Sequence, residues 1–136
     1  MPRTVLPEGW PRPRGYANGM AARGELLAIA GQIGWNSNEQ IESDGFSDQF
    51  RQALANVVAV VEAAGGRVTD IISLTIYVTD KREYVSEITQ VGKIYRELLG
   101  KHFPSMALVG VSELLEDRAR VEIQGLAVLT SAEESP

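Results

Sequence analysis

The chain has 136 residues, 44% of them hydrophobic and 23% charged, with a formal net charge of −5, which fits one globular domain large enough to bury a real core. The absence of cysteine excludes disulfides and thiolate chemistry, and a single histidine excludes a multi-histidine metal site. No apolar run approaches the roughly 20 residues needed to cross a bilayer, and the acidic balance argues against nucleic acid as a partner. A cytoplasmic protein without metal or cofactor is expected.

Residues 1–15 contain four of the six prolines and are expected to form an extended arm, made locally basic by Arg3, Arg12 and Arg14. Two short strands are predicted at about 16–22 and 25–31, joined as a hairpin at Arg23-Gly24. The polar stretch NSNEQIESDG is a loop. A helix over about 47–64 follows. Phe46, Phe50, Leu54, Val57, Val61 and Ala64 recur at three- and four-residue spacing, Ser47 is the expected N-cap, and Gly65-Gly66 ends it.

DIISLTIYVTD reads as a strand, with Ile72, Leu74, Ile76 and Val78 on one face and Ile71, Ser73, Thr75 and Tyr77 on the other. A second helix is predicted over about 81–99, capped by Asp80 with Glu83 three residues on, and stopped by Gly100. SMALVGV is a further strand, SELLEDR a connector, and RARVEIQGLAVL the last strand. The tail, residues 131–136, is expected to be flexible.

The predicted order is β-β-α-β-α-β-β. Two helical stripes cover one face of a sheet, yet several strands are apolar at both parities, as in Ile71-Ile72 and Leu126-Ala127. The second face needs a cover, and a further copy of the same chain is the simplest one. In the last strand Val121, Ile123, Ala127 and Leu129 share the core parity, whereas Glu122 lies on the other face with Arg120, Gln124, Leu126 and Val128. A carboxylate on a partly apolar face either pairs with a neighbouring arginine, Arg118 or Arg120, or is held for chemistry.

The stretch QFRQALANVVAVVEAAGGRVTDIISLTIYVTD, residues 49–80, resembles the Rid (YjgF) family of enamine/imine deaminases in its Q-x-R-Q-x-L-x-N helix, its E-A-A-G helix end and its D-I-x-x-x-T strand. Gly31-Gln32, Phe103-Pro104 and VEIQGLAV extend the resemblance over residues 16–129. It implies a single domain with a chorismate-mutase-like α+β fold, two helices on one face of a mixed sheet, assembled as a homotrimer with small-molecule clefts between subunits. It implies Glu122 as the group that positions the attacking water, and Tyr16, Ala30 and Gly31 as cleft residues.

One position departs. The family's carboxylate-binding arginine is replaced by Met106, which offers an apolar wall in place of a bidentate cation. Arg14 and Arg120 are the arginines available to replace it. The expectation is a divergent member that hydrolyses an imine, enamine or related metabolite but is not an archetypal 2-aminoacrylate deaminase. The alternative is a non-catalytic ligand-binding or regulatory trimer.

Overall fold

The computed structural model describes residues 2–130, so the predicted flexible tail lies outside the described residues. Helix α1 spans Phe46–Ala63 and buries Phe46, Phe50, Leu54, Val57 and Val61, the stripe its periodicity predicts. It starts one residue early, after Gly45. Ser47 is not the cap, because its hydroxyl donates instead to Glu87 at 2.6 Å. The C-terminus closes as predicted, with Gly65 N–H donating to the Glu62 carbonyl and Gly66 N–H to the Val61 carbonyl.

The main sheet has four strands in the order β3 (Glu25–Ile33), β6 (Val121–Leu129), β4 (Ile71–Val78), β5 (Ser105–Gly110). Strands β3, β6 and β4 are antiparallel neighbours, and β4 and β5 run parallel. A parallel pair needs a crossover, and the second helical segment supplies it. That segment is two helices rather than one: α2 (Lys81–Ser86) and α3 (Ile88–Leu99). The break falls at Glu87, the residue held by Ser47. Beyond it, α3 delivers Val91, Ile94, Tyr95 and Leu99 to the core, whereas α2 has no fully buried residue and contributes only half-buried Tyr84, edge-on to Phe46. Asp80 caps α2 as expected, accepting from Arg82 N–H at 3.0 Å. Glu83 closes no capping box, because its carboxylate pairs with Arg120 at 2.9 Å.

The helices pack on one face of this mixed sheet, the chorismate-mutase-like α+β arrangement that was expected. Two pairings differ from expectation. The predicted hairpin across Arg23-Gly24 does not form: β2 (Gly19–Ala21) pairs with β1 (Arg3–Val5) from the N-terminal arm, and β3 pairs with β6. Gly24 explains the divergence. Its φ is +148°, and a Cβ there would collide with the Leu129 carbonyl, so the chain passes directly over the end of β6. In β4 the register skips between Ile71 and Ser73, and this bulge turns Ile71 into the core, leaving Ile72 half-buried.

On the face away from the helices, Leu26 is 63% and Leu126 39% exposed, whereas Val128 is covered. The apolar patch left open is therefore smaller than the parity pattern suggests, but it is continuous, since Leu26 and Ala28 of β3 stand opposite Val128 and Leu126.

Tyr95 carries a cost inside the core. Its hydroxyl is buried with no hydrogen-bond partner among the described residues, while its ring stacks on Phe103 at 6.1 Å. Burial, and then Tyr84, push its phenol well above the ordinary tyrosine range. The unfolded chain releases this proton near pH 10 and the folded chain keeps it, so stability falls as pH rises past about 10. Tyr95→Phe is expected to raise stability at pH 7 by about 1 kcal/mol, because no partner is lost and a desolvated hydroxyl is removed. It should also flatten the alkaline fall, which urea melts at pH 7 and above pH 10 would read.

Candidate functional site

Glu122 stands second in β6, opposite Ile33 of β3 and Tyr77 of β4. The β3–β6 register skips between Ile29 and Gln32, so Ala30 and Gly31 both stand opposite Gln124. This bulge brings the bare backbone of Gly31 under the Glu122 side chain. A Cβ at Gly31 would meet Glu122 Oε2 at 2.5 Å and Cδ at 2.8 Å, so only glycine leaves the carboxylate where it is.

The neighbouring cations are engaged elsewhere. Arg120 donates to the Asp44 carbonyl at 2.6 Å and pairs with Glu83 at 2.9 Å. Arg118 pairs with Asp44 at 2.9 Å and donates to the Ile41 carbonyl. Neither reaches Glu122, whose half-buried carboxylate has no ion pair or hydrogen bond among the described residues. It remains an acceptor-only group with its lone pairs available to a water or a ligand.

Helix α1 fixes both strands around it. Gln49, 1% exposed, donates to the Ser43 and Arg118 carbonyls at 2.9 and 3.1 Å and accepts from Arg120 N–H at 2.8 Å. That pins the start of β6 two residues before Glu122. Asn56 donates to the carbonyls of Ile33 and Trp35 at 3.1 and 2.9 Å, which holds the end of β3 beside Glu122. The sequence presents both residues only as parts of a motif. Their signal is a polar side chain on or beside the buried stripe of α1, seven residues apart and so on one side of the helix.

The other expected site residues do not gather around Glu122 within one chain. Met106 pairs in register with Leu74 and packs against the core cluster, on the helix side of the sheet. Ala30 is exposed at the bulge beside Gly31. Tyr16, 41% exposed, lines a separate cavity with Arg12, Lys101 and Phe103, and the next residue, Ala17, bridges to Ser105 at the start of β5. Glu122 aligns through Tyr77 with Val109, four residues along β5, about 13 Å away by strand rise. Arg14 is exposed, and Arg12, not Arg14, lines the Tyr16 cavity.

His102 is structural, with Nε2 at 2.6 Å from the Ile71 carbonyl. Among the described residues no group of three or more His, Cys, Asp or Glu side chains is placed to hold a metal, and no helix is long and apolar enough to cross a membrane.

The sequence model of the family described as Endoribonuclease L-PSP matches residues 11–129. The 2-iminobutanoate/2-iminopropanoate deaminase of Salmonella typhimurium is 33% identical over 132 residues, covering 94% of this chain and 98% of that protein. Among solved structures, a Rid-family protein of unknown function from Yersinia pestis superposes with a TM-score of 0.80 at 27% identity, over 94% of this chain and 98% of that one. TdcF of Escherichia coli, solved with bound serine, gives a TM-score of 0.67 at 29% identity, over 94% and 99%.

Proposed function

Because the chain belongs to the Rid (YjgF) family, we propose that it hydrolyses the C=N bond of a small imine, or of an enamine through its imine tautomer, in a cleft completed by a second copy of itself. The observation that carries this reading is Glu122: a half-buried carboxylate seated on bare glycine backbone, with both nearby arginines engaged elsewhere. The deaminase names of relatives such as the Salmonella protein support the same chemistry.

In the proposed step Glu122 accepts a proton from water as the water oxygen bonds to the imine carbon. The C=N π electrons move to nitrogen, giving a carbinolamine. Glu122 returns that proton to nitrogen to complete the neutral carbinolamine, then takes the carbinolamine hydroxyl proton and passes it to the same nitrogen, so that the C–N bond breaks and ammonia leaves as the carbonyl forms. Each proton taken up is returned, so no cofactor is required.

A homotrimer supplies the second wall. The open patch around Leu26 and Leu126 needs a cover, and the separation of Tyr16 from Glu122 within one chain is resolved if neighbouring copies contribute opposite ends of the sheet. Light scattering after size exclusion is expected to give three times the 14.8 kDa chain mass. A monomer would remove both the assembly and the shared cleft.

The lack of an arginine at position 106 narrows the substrate, Met106 itself being packed toward the core and not toward Glu122. With methionine where the family's carboxylate-binding arginine stands, imines derived from serine and threonine lose their anchor. A coupled assay that generates 2-aminoacrylate should show ammonia release near the spontaneous rate, while imines with neutral or apolar substituents are released faster. Rates on 2-aminoacrylate equal to those of an arginine-containing relative would overturn this specificity. Met106 also favours a second reading, a trimer that binds a small ligand without turning it over, and the same panel separates the two because that protein accelerates no imine.

A further inference from the structure

On the side of β6 away from Gly31, the sheet carries a second polar feature beside Glu122. Tyr77 of β4 stands directly opposite Glu122, and Thr75 stands opposite Gln124, so Tyr77, Glu122 and Gln124 share the face away from the helices. The Tyr77 hydroxyl donates to Gln124 Oε1 at 3.3 Å. A phenol has a single proton to give and this bond uses it, so the oxygen offers its remaining lone pair as an acceptor. The Gln124 amide nitrogen makes no hydrogen bond among the described residues and remains a donor. Tyr77 is half-buried and Gln124 exposed, so the ring is held while the amide is open to a ligand.

The surroundings decide what such a pair can take. None of β3, β4, β5 and β6 contains a lysine or an arginine. Arg120, which precedes β6, is turned to Glu83 and the Asp44 carbonyl. An acceptor beside a donor matches a primary carboxamide, whose N–H donates to the phenol oxygen while its carbonyl accepts from the Gln124 amide. A carboxylate in the same place accepts from Gln124 alone, sets its second oxygen against the Tyr77 lone pair, and stands near the like charge of Glu122. An apolar group of that shape leaves both partners unpaired. Residues directly opposite hold their Cβ atoms about 4.5–5.5 Å apart, and Gln124 follows Glu122 by about 7 Å along the strand, so one small molecule can touch the carboxylate and the pair together.

We infer that Tyr77 and Gln124 determine the specificity of the Glu122 site, and that its substrate is a small imine carrying a carboxamide next to the imine carbon. The inference rests on the imine hydrolysis proposed for Glu122 and adds the substituent that the site selects.

Pyruvamide, methyl isopropyl ketone and pyruvate have one shape and differ in carrying a carboxamide, an isopropyl group or a carboxylate beside the ketone. Each is the product that the matching imine gives, and ligand-observed NMR titration with the three tests the inference without turnover. The parent protein is expected to bind pyruvamide about tenfold more tightly than either of the others. Tyr77→Phe removes the acceptor and Gln124→Met the donor, and each should cut that advantage to about threefold or less while methyl isopropyl ketone binds as it does to the parent. An unchanged melting temperature checks that the variants fold. Pyruvamide binding should persist in Glu122→Gln. A protein that prefers pyruvamide through Tyr77 but accelerates no imine leaves the carboxamide subsite standing and removes the hydrolysis; one that accelerates imines with no preference for a carboxamide keeps the hydrolysis and removes the subsite. The inference is overturned if pyruvamide does not bind, if pyruvate or the isopropyl ketone binds as tightly, or if either variant keeps the parent's full preference.

Discussion

Glu122→Gln is expected to lower enzyme-catalysed ammonia release by about 10²–10⁴-fold, the usual contribution of a positioned general base. Glutamine keeps the volume and can still occupy the space over Gly31, but its amide cannot accept and return the water proton. The effect should therefore fall on kcat, with KM changed little, because the substrate's other contacts remain. The fold should be unaffected: the carboxylate makes no ion pair or hydrogen bond among the described residues, so none is lost. An unchanged melting temperature with lost turnover would separate a chemical role from a structural one. Full activity in the glutamine variant, on a substrate the parent enzyme accelerates, would remove Glu122 from the mechanism.

Gln49→Leu should produce a large loss of stability. The side chain is of similar size and the position is 1% exposed, so volume is nearly conserved. What disappears is the polar cross-link: the Ser43 and Arg118 carbonyls lose their donor, and Arg120 N–H loses its acceptor. Leaving such buried groups unsatisfied costs about 1–3 kcal/mol each, so a total of about 3 kcal/mol or more is expected. For a chain of this size that lowers the melting temperature by roughly 10 °C. Because Gln49 anchors the strand that presents Glu122, activity should fall even at temperatures where the variant is folded. Gln49→Glu keeps an acceptor for Arg120 N–H but turns a carboxylate oxygen toward the Ser43 and Arg118 carbonyls in a 1% exposed position, and should lower stability at pH 7 at least as much as leucine does. A melting temperature within a degree or two of the parent would show that the start of β6 is held by other contacts.

Much of the architecture is legible in local pattern. The period of Phe46, Phe50, Leu54 and Val57 marks α1 within a residue, and the alternation in β6 puts Glu122 on the face opposite Val121 and Ile123, as observed. What local pattern does not carry is partner choice. Residues 16–22 are compatible with β3 or with the arm, and the decision rests on Gly24 passing over Leu129, a contact more than a hundred residues away in sequence. Bulges are invisible for the same reason, since nothing in Ile71-Ile72 says which residue the partner strand will skip. The break at Glu87 falls where a hydroxyl forty residues earlier holds the side chain, a contact local pattern does not carry.

The site was legible in one half. Strand parity puts Glu122 on its face and one motif points to Gly31, but the contact between them depends on the bulge between Ile29 and Gln32. Arg120 could not be assigned from parity, which cannot see Glu83 or the Asp44 carbonyl waiting for it. Likewise, where Arg14 points depends on how a proline-rich arm turns, and it is Arg12, not named as a site residue from the sequence, that lines the Tyr16 cavity.

The central claim is that Glu122 faces a cleft shared between copies of the chain, and a crystal structure of the assembled protein tests it most directly. The account predicts a trimer in which the Glu122 carboxylate, still seated over Gly31, holds a water within hydrogen-bond reach and looks across a subunit boundary toward the Tyr16 end of a neighbour. Glu122 in open solvent, far from any subunit boundary, would contradict it.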